Sequence, residues 1–173
     1  GLCCMNIVAR RLNRELVNLG FSGSGKLEPE LAVLTADIPN PGVILIEAER
    51  NSRFEGVKQR LEPFIRILRS RHPEVPIVVM SANKRGGEWY SPASSRDRTT
   101  ILEFMKTLVA RLQKTDRNLY LFDSSELLGQ DFEECSIDGV HPNDLGFYRM
   151  AEGLAPFLEK LLTKIVMADK TST

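Results

Sequence analysis

The chain has 173 residues, 42% of them hydrophobic and 27% charged. That balance excludes a disordered chain, a collagen-like repeat and a small disulfide-stapled scaffold, and it suffices for one domain with a buried core. Lys+Arg and Asp+Glu each number 23, so the formal net charge is zero. With no basic excess to neutralise a phosphate backbone, nucleic acid is not an expected partner.

Residues 6–14, with Ile7, Val8 and Leu12 against a basic face, read as an amphipathic helix. Residues 15–19 (Glu-Leu-Val-Asn-Leu) read as a short strand, running into the glycine-rich turn of residues 20–25. Pro29 suits a first helical position, Leu31, Leu34 and Ile38 give the following helix its stripe, and residues 39–42 (Pro-Asn-Pro-Gly) stop it. Residues 43–46 (Val-Ile-Leu-Ile) form an apolar run of the kind buried on both faces of a parallel sheet. A helix follows with Val57, Leu61, Phe64, Ile65 and Leu68 on one side, which Pro63 is expected to kink or restart. Residues 76–80 are a second buried strand. The loop of residues 81–95 is long and carries Trp89, the single tryptophan, placed to line a pocket. Residues 99–114 repeat Ile101, Leu102, Met105, Leu108, Val109 and Leu112 at helical spacing, and residues 119–122 (Leu-Tyr-Leu-Phe) are the last strand. A final helix runs from Asn143 or Asp144 to Ile165, with residues 166–173 as a frayed tail.

Strands alternating with helices of this length imply a single α/β domain over residues 1–173, with a mainly parallel sheet and helices on both faces. Ligands bind such sheets beyond the carboxyl ends of the strands, so the chemistry is sought in residues 20–26, 47–53, 81–95 and 123–143. Cys3, Cys4 and Cys135 are odd in number and lack C-x-x-C spacing. They read as buried thiols rather than a disulfide framework, and with only two histidines no metal cluster is expected. No apolar run reaches the ~18 residues of a membrane span. No secretory leader is visible, but the chain opens on Gly1 rather than Met. The true N-terminus is therefore expected upstream, and compartment and homo-oligomerisation are left open.

Three loops carry candidate chemistry. Residues 20–26 fit G-x-x-x-x-G-K, but Leu27 stands where a phosphate-binding loop needs Ser or Thr for Mg²⁺, and Pro29 starts the helix too late. The loop is then a tight turn or a stretch of bare backbone N–H groups facing a reacting oxygen. Asn51, past the strand of residues 43–46, is either a turn residue or an amide donor to a developing oxyanion. In residues 138–143 (Asp-Gly-Val-His-Pro-Asn), a carboxylate three residues before a histidine can fold back to hold one ring nitrogen. The other nitrogen then faces a nucleophile, and histidine is the side chain whose charge changes near neutral pH. His72 looks instead like a solvated helix end.

In this order, Asn18–Gly25 (Asn-Leu-Gly-Phe-Ser-Gly-Ser-Gly) and Asp138–Ala151 (Asp-Gly-Val-His-Pro-Asn-Asp-Leu-Gly-Phe-Tyr-Arg-Met-Ala) resemble blocks of the SGNH (GDSL-type) hydrolases. These are serine esterases, and bacterial members are the nearest in pattern. The resemblance runs from Gly1 to about Leu162 and implies a three-layer, flavodoxin-like α/β/α sandwich. By position, Gly23 matches the glycine whose N–H points into the oxyanion hole, and Asn51 the asparagine whose amide does likewise. His141 matches the general base and Asp138 its orienter. The superfamily often has Gly-x-Asn-Asp where this chain has Glu49-Arg50-Asn51-Ser52. Its nucleophile is a serine after a first strand that precedes the first helix, a place Ser22 and Ser24 do not occupy. That strand lies inside the sheet, and its removal exposes two ladders of backbone groups. The 173 residues are therefore expected to belong to a longer esterase, and to be inactive without its serine.

The resemblance implies hydrolysis of carboxylic esters, small acyl groups above all, with a small-molecule substrate and no metal or organic cofactor. Two other readings remain: a noncatalytic relative that keeps the pocket for binding, and a nucleotide-binding α/β domain resting on Gly20–Lys26.

Overall fold

The computed structural model describes residues 1–47 and 49–171. In chain order its elements are α1 (Cys4–Leu12), α2 (Pro29–Ala36), β1 (Ile44–Ile46), α3 (Glu49–Arg71), β2 (Ile77–Met80), α4 (Pro92–Leu112), β3 (Leu119–Phe122) and α5 (Asp144–Thr171). Short 3-10 turns occupy Ser22–Ser24, Gly86–Trp89 and Phe132–Cys135. The chain is divided between two compact units. One comprises Gly1–Asn18, Asn83–Ser94 and the residues from Ser124 on; the other comprises Leu19–Ala82 and Ser95–Asp123. The expected α/β class with a parallel sheet is what forms.

The second unit holds the sheet, ordered β1-β2-β3, with Ile44 beside Ile77 and Ile77 beside Leu119. All four residues of β2 are buried, as a central parallel strand requires. One face of the sheet (Ile44, Ile46, Ile77, Val79, Leu119) joins Val57, Leu61, Phe64, Ile65 and Leu68 of α3 in a single core. Ile101, Met105, Leu108 and Val109 of α4 complete it. Each such side chain is worth about 1.5–3 kcal/mol when fully buried. Arg69 closes the turn between α3 and β2. Its guanidinium donates to the carbonyls of His72, Pro73 and Val75 and to Asp116 Oδ2 (2.9 Å), which sets where β2 begins.

The structure departs from the sequence expectations at five places in these elements and their connections. Residues 15–19 form no strand; an extended segment becomes one only when a neighbour bonds it, and no described strand runs beside it. The buried stripe of α2 is Ala32 and Ala36, and Leu34 lies exposed. The break in α3 falls at Arg53 (φ 54°, ψ 176°), not at Pro63, which stays helical on the exposed side of the helix. Residues 81–95 are not one loop, since Pro92 already starts α4 at the first helical position its fixed φ favours. His72 is half-buried, with Nε2 2.9 Å from the Ala36 carbonyl, rather than free in solvent.

In the first unit α1 packs on α5, burying Cys4, Ile7 and Val8 on one helix and Ala151, Leu154, Ala155 and Leu158 on the other. Arg11 pairs with Glu152 and lies 4.9 Å over the Tyr148 ring. Asn13 in the left-handed region ends α1, its N–H and that of Arg14 closing on the last carbonyls. The thiols are free; Cys4 and Cys135 are buried, and burial pushes the Cys4 thiol up to about 12. Trp89 is 68% exposed and stacks on Phe132 at 6.2 Å. Helix α5 continues past Ile165 to Thr171; of the expected frayed tail, Ser172 and Thr173 lie outside the described residues. Among the described residues no helix is long and apolar enough to cross a membrane.

Candidate active site

The turn ahead of α5 is built backbone first. Ile137 N–H donates to the His141 carbonyl (3.1 Å) and Asn143 N–H to the Cys135 carbonyl (3.0 Å), closing a tight loop. Asn143 caps α5 by accepting Gly146 N–H at Oδ1 (3.0 Å), while its Nδ2 donates back to the Glu134 carbonyl (2.7 Å). Gly146 is required at that helix start, because a Cβ there would come 2.3 Å from the Cys135 carbonyl oxygen. Gly139 sits at φ +76°, and a Cβ on it would lie 2.8 Å from the Tyr90 hydroxyl.

Asp138 and His141 meet inside this loop. Asp138 Oδ1 accepts the N–H groups of Val140 (2.9 Å) and His141 (2.8 Å), and Oδ2 lies 2.7 Å from His141 Nδ1. The His141 and Val140 donors hold the Asp138 carboxyl well below the usual carboxylate range. A carboxylate at Nδ1 keeps the proton on that nitrogen and leaves the Nε2 lone pair to act as a base. The imidazole is open to solvent, 76% exposed, as a base that meets an incoming molecule must be. The 3-10 turn of Gly86–Trp89 supports the loop from outside through a 2.9 Å bond from Gly87 N–H to the Gly139 carbonyl.

Gly23 and Asn51 are neighbours in the other unit. Gly23 is exposed at the centre of the Ser22–Ser24 turn, with nothing within 4 Å of where its Cβ would stand. Asn51, in the first turn of α3, donates from Nδ2 to the Ser22 carbonyl at 2.6 Å. A primary amide nitrogen carries two hydrogens. The bond to Ser22 orients the group and leaves a second donor for an incoming oxygen. Lys26 does not begin a helix: its N–H donates to Glu28 Oε2 (2.7 Å), and α2 starts at Pro29. The helix end that would hold a nucleotide phosphate is therefore not at the Gly-Lys pair.

One residue of this neighbourhood escaped the sequence reading. Glu49, two positions before Asn51, is 2% exposed, and its Oε2 accepts the Ala82 N–H at 2.8 Å. A polar residue in a post-strand segment reads as solvated; only the tertiary position of Ala82 shows otherwise. Among the described residues no group of three or more His, Cys, Asp and Glu side chains is placed to hold a metal ion.

A protein of Bacteroides ovatus described as a GDSL-like lipase is 30% identical, with a TM-score of 0.84 over 94% of this chain and 48% of its own. Salicylyl-acyltransferase SsfX3, from a tetracycline biosynthetic pathway, is 25% identical, with a TM-score of 0.76 over 86% of this chain and 46% of its own. This chain thus spans about half the length of both. A carbohydrate esterase family 3 protein of Talaromyces cellulolyticus shares the fold at 16% identity, with a TM-score of 0.64 over 84% of this chain and 70% of its own. Among curated proteins there is no match. A sequence profile matches residues 1–159, across both candidate loops and the start of α5. By that match the chain belongs to the GDSL-like lipase/acylhydrolase family.

Proposed function

We propose that the protein is a serine esterase that cleaves carboxylic esters of small acyl groups, with residues 1–173 belonging to a single hydrolase domain. The observation that carries this reading is the 2.7 Å contact between Asp138 Oδ2 and His141 Nδ1, which prepares Nε2 as a base. In the proposed reaction a serine hydroxyl, upstream of this chain by the family resemblance, attacks the acyl carbon as His141 Nε2 takes its proton. Asp138, ionised, steadies the imidazolium. The Gly23 N–H and the second Asn51 amide hydrogen, with the serine's own N–H, donate to the tetrahedral oxyanion. As the intermediate collapses, Nε2 returns the proton to the departing alcohol, leaving an acyl-serine. Water then attacks that ester, Nε2 again taking and returning the proton, and the carboxylic acid leaves. The scheme uses no metal or organic cofactor.

The test is hydrolysis of p-nitrophenyl acetate by the full-length protein. His141→Ala is expected to lower kcat by about 10⁴-fold or more with an unchanged melting temperature. A fluorophosphonate probe is expected to label one serine ahead of α1. Unchanged turnover in His141→Ala would overturn the reading. A folded wild-type protein that neither turns over nor takes the probe is a binding module instead.

A further inference from the structure

The first turn of α3 is mechanically separate from the rest of that helix. At Arg53 the backbone takes φ 54°, ψ 176°, a conformation populated almost only by glycine, so residues 49–52 do not inherit their direction from the long helix behind them. Side-chain hydrogen bonds of Asn51 and Glu49 lead outward from this short turn. Asn51 Nδ2 reaches the Ser22 carbonyl at 2.6 Å, and Glu49 Oε2 accepts the Ala82 N–H at 2.8 Å just beyond β2. Glu49 is 98% buried, and among the described residues its Oε1 and the buried Ser52 Oγ find no partner. The cavity beside it is lined by Ile46, Val57, Leu61, Val79 and Met80 and has about 10 Å³, room for at most a single water. Such apolar surroundings suit a leucine; a carboxyl there costs desolvation, and what it adds is the bond to Ala82.

We infer that Glu49 is a positioning residue for the Asn51 amide: its buried carboxyl group, anchored on the Ala82 N–H, sets the detached first turn of α3 so that Asn51 is aimed at its acceptor. The inference rests on the oxyanion role proposed for Asn51. Glu49 touches no reacting atom. It acts by geometry, and a shift of about 1 Å in a donor is enough to cost on the order of 100-fold in rate.

Length and charge can be varied separately at this position. Glu49→Asp keeps the carboxyl group but withdraws the oxygen from Ala82; Glu49→Gln keeps the length and an acceptor oxygen but cannot ionise. With p-nitrophenyl acetate and the full-length protein, Glu49→Asp is expected to lower kcat by about 10–100-fold with KM within about threefold. Glu49→Gln is expected to stay within about threefold of wild type. Because Glu49 works through Asn51, Glu49→Asp is expected to add little once Asn51→Ala has already removed its about 10²–10³-fold. The opposite order, Gln inactive and Asp active, overturns the inference, as do losses that multiply in the double variant. Loss in Asn51→Ala with none in Glu49→Asp overturns the inference and leaves the proposed reaction standing; full activity in Asn51→Ala overturns both.

Discussion

Asp138 spends both carboxylate oxygens, one on two backbone N–H groups and one on the imidazole, so a single side chain shapes the turn and sets the base. Asp138→Asn separates the two tasks. The amide oxygen can still accept from Val140 and His141, but the amide nitrogen donates to Nδ1 and moves the ring proton to Nε2, where a lone pair is needed. The expected result is a drop of about 10⁴-fold in kcat with little change in melting temperature, read by ester hydrolysis and calorimetry. Glu49 gives a second expectation at this scale. Burial raises its carboxyl above the ordinary range, with Glu47 adding to the rise; the Ala82 N–H and the charges of Arg50 and Arg98 oppose it. Between the unfolded carboxyl value, ~4.3, and the raised folded value, the native protein holds a proton that the unfolded chain has lost. The corresponding stability is fully present below the unfolded value and is lost as pH rises through the folded one. Glu49→Gln cannot ionise, so its melting temperature relative to wild type is expected to climb with pH across that window and then level off. A difference that stays flat means the carboxyl does not change its proton on folding. Of the two acidic groups, Asp138 was legible from its spacing to His141, because a three-residue separation closes locally. Glu49 was not, because its partner lies 33 residues away.

At the scale of elements, continuous apolar runs announced the three strands, and the helical spacing of Val57 to Leu68 and Ile101 to Leu112 announced α3 and α4, since burial on a sheet imposes both patterns. Pro92 is a helix-start signal inside a segment whose composition otherwise reads as loop. No residue type advertised the break at Arg53, where a side chain with no preference for positive φ is held in glycine's region by its surroundings. Arg53→Gly is expected to raise stability by about 1 kcal/mol, the relieved strain exceeding the entropy glycine adds to the unfolded chain. Urea denaturation measures it, and a loss of stability would mean that Arg53 is not strained. The segment of residues 15–19 failed for a different reason: its composition suits a strand, but pairing is a property of neighbours and not of the segment.

Across the whole molecule, the chain passes between its two compact units four times, after Asn18, Ala82, Ser94 and Asp123, so neither unit is a continuous piece of sequence. Periodicity showed the class of fold but gave no hint of this division, because contacts between distant segments leave no local pattern. The candidate groups divide along the same line: Asp138 and His141 belong to the unit of α1 and α5, Gly23 and Asn51 to the unit of the sheet. The turn of Gly86–Trp89, bonded to the Gly139 carbonyl, carries the chain's one tryptophan, exposed and stacked on Phe132. Its indole is therefore a built-in optical reporter. Within these 173 residues all tryptophan emission originates beside the His141 turn, so the arrival of a ligand there can be followed by fluorescence of the unlabelled chain.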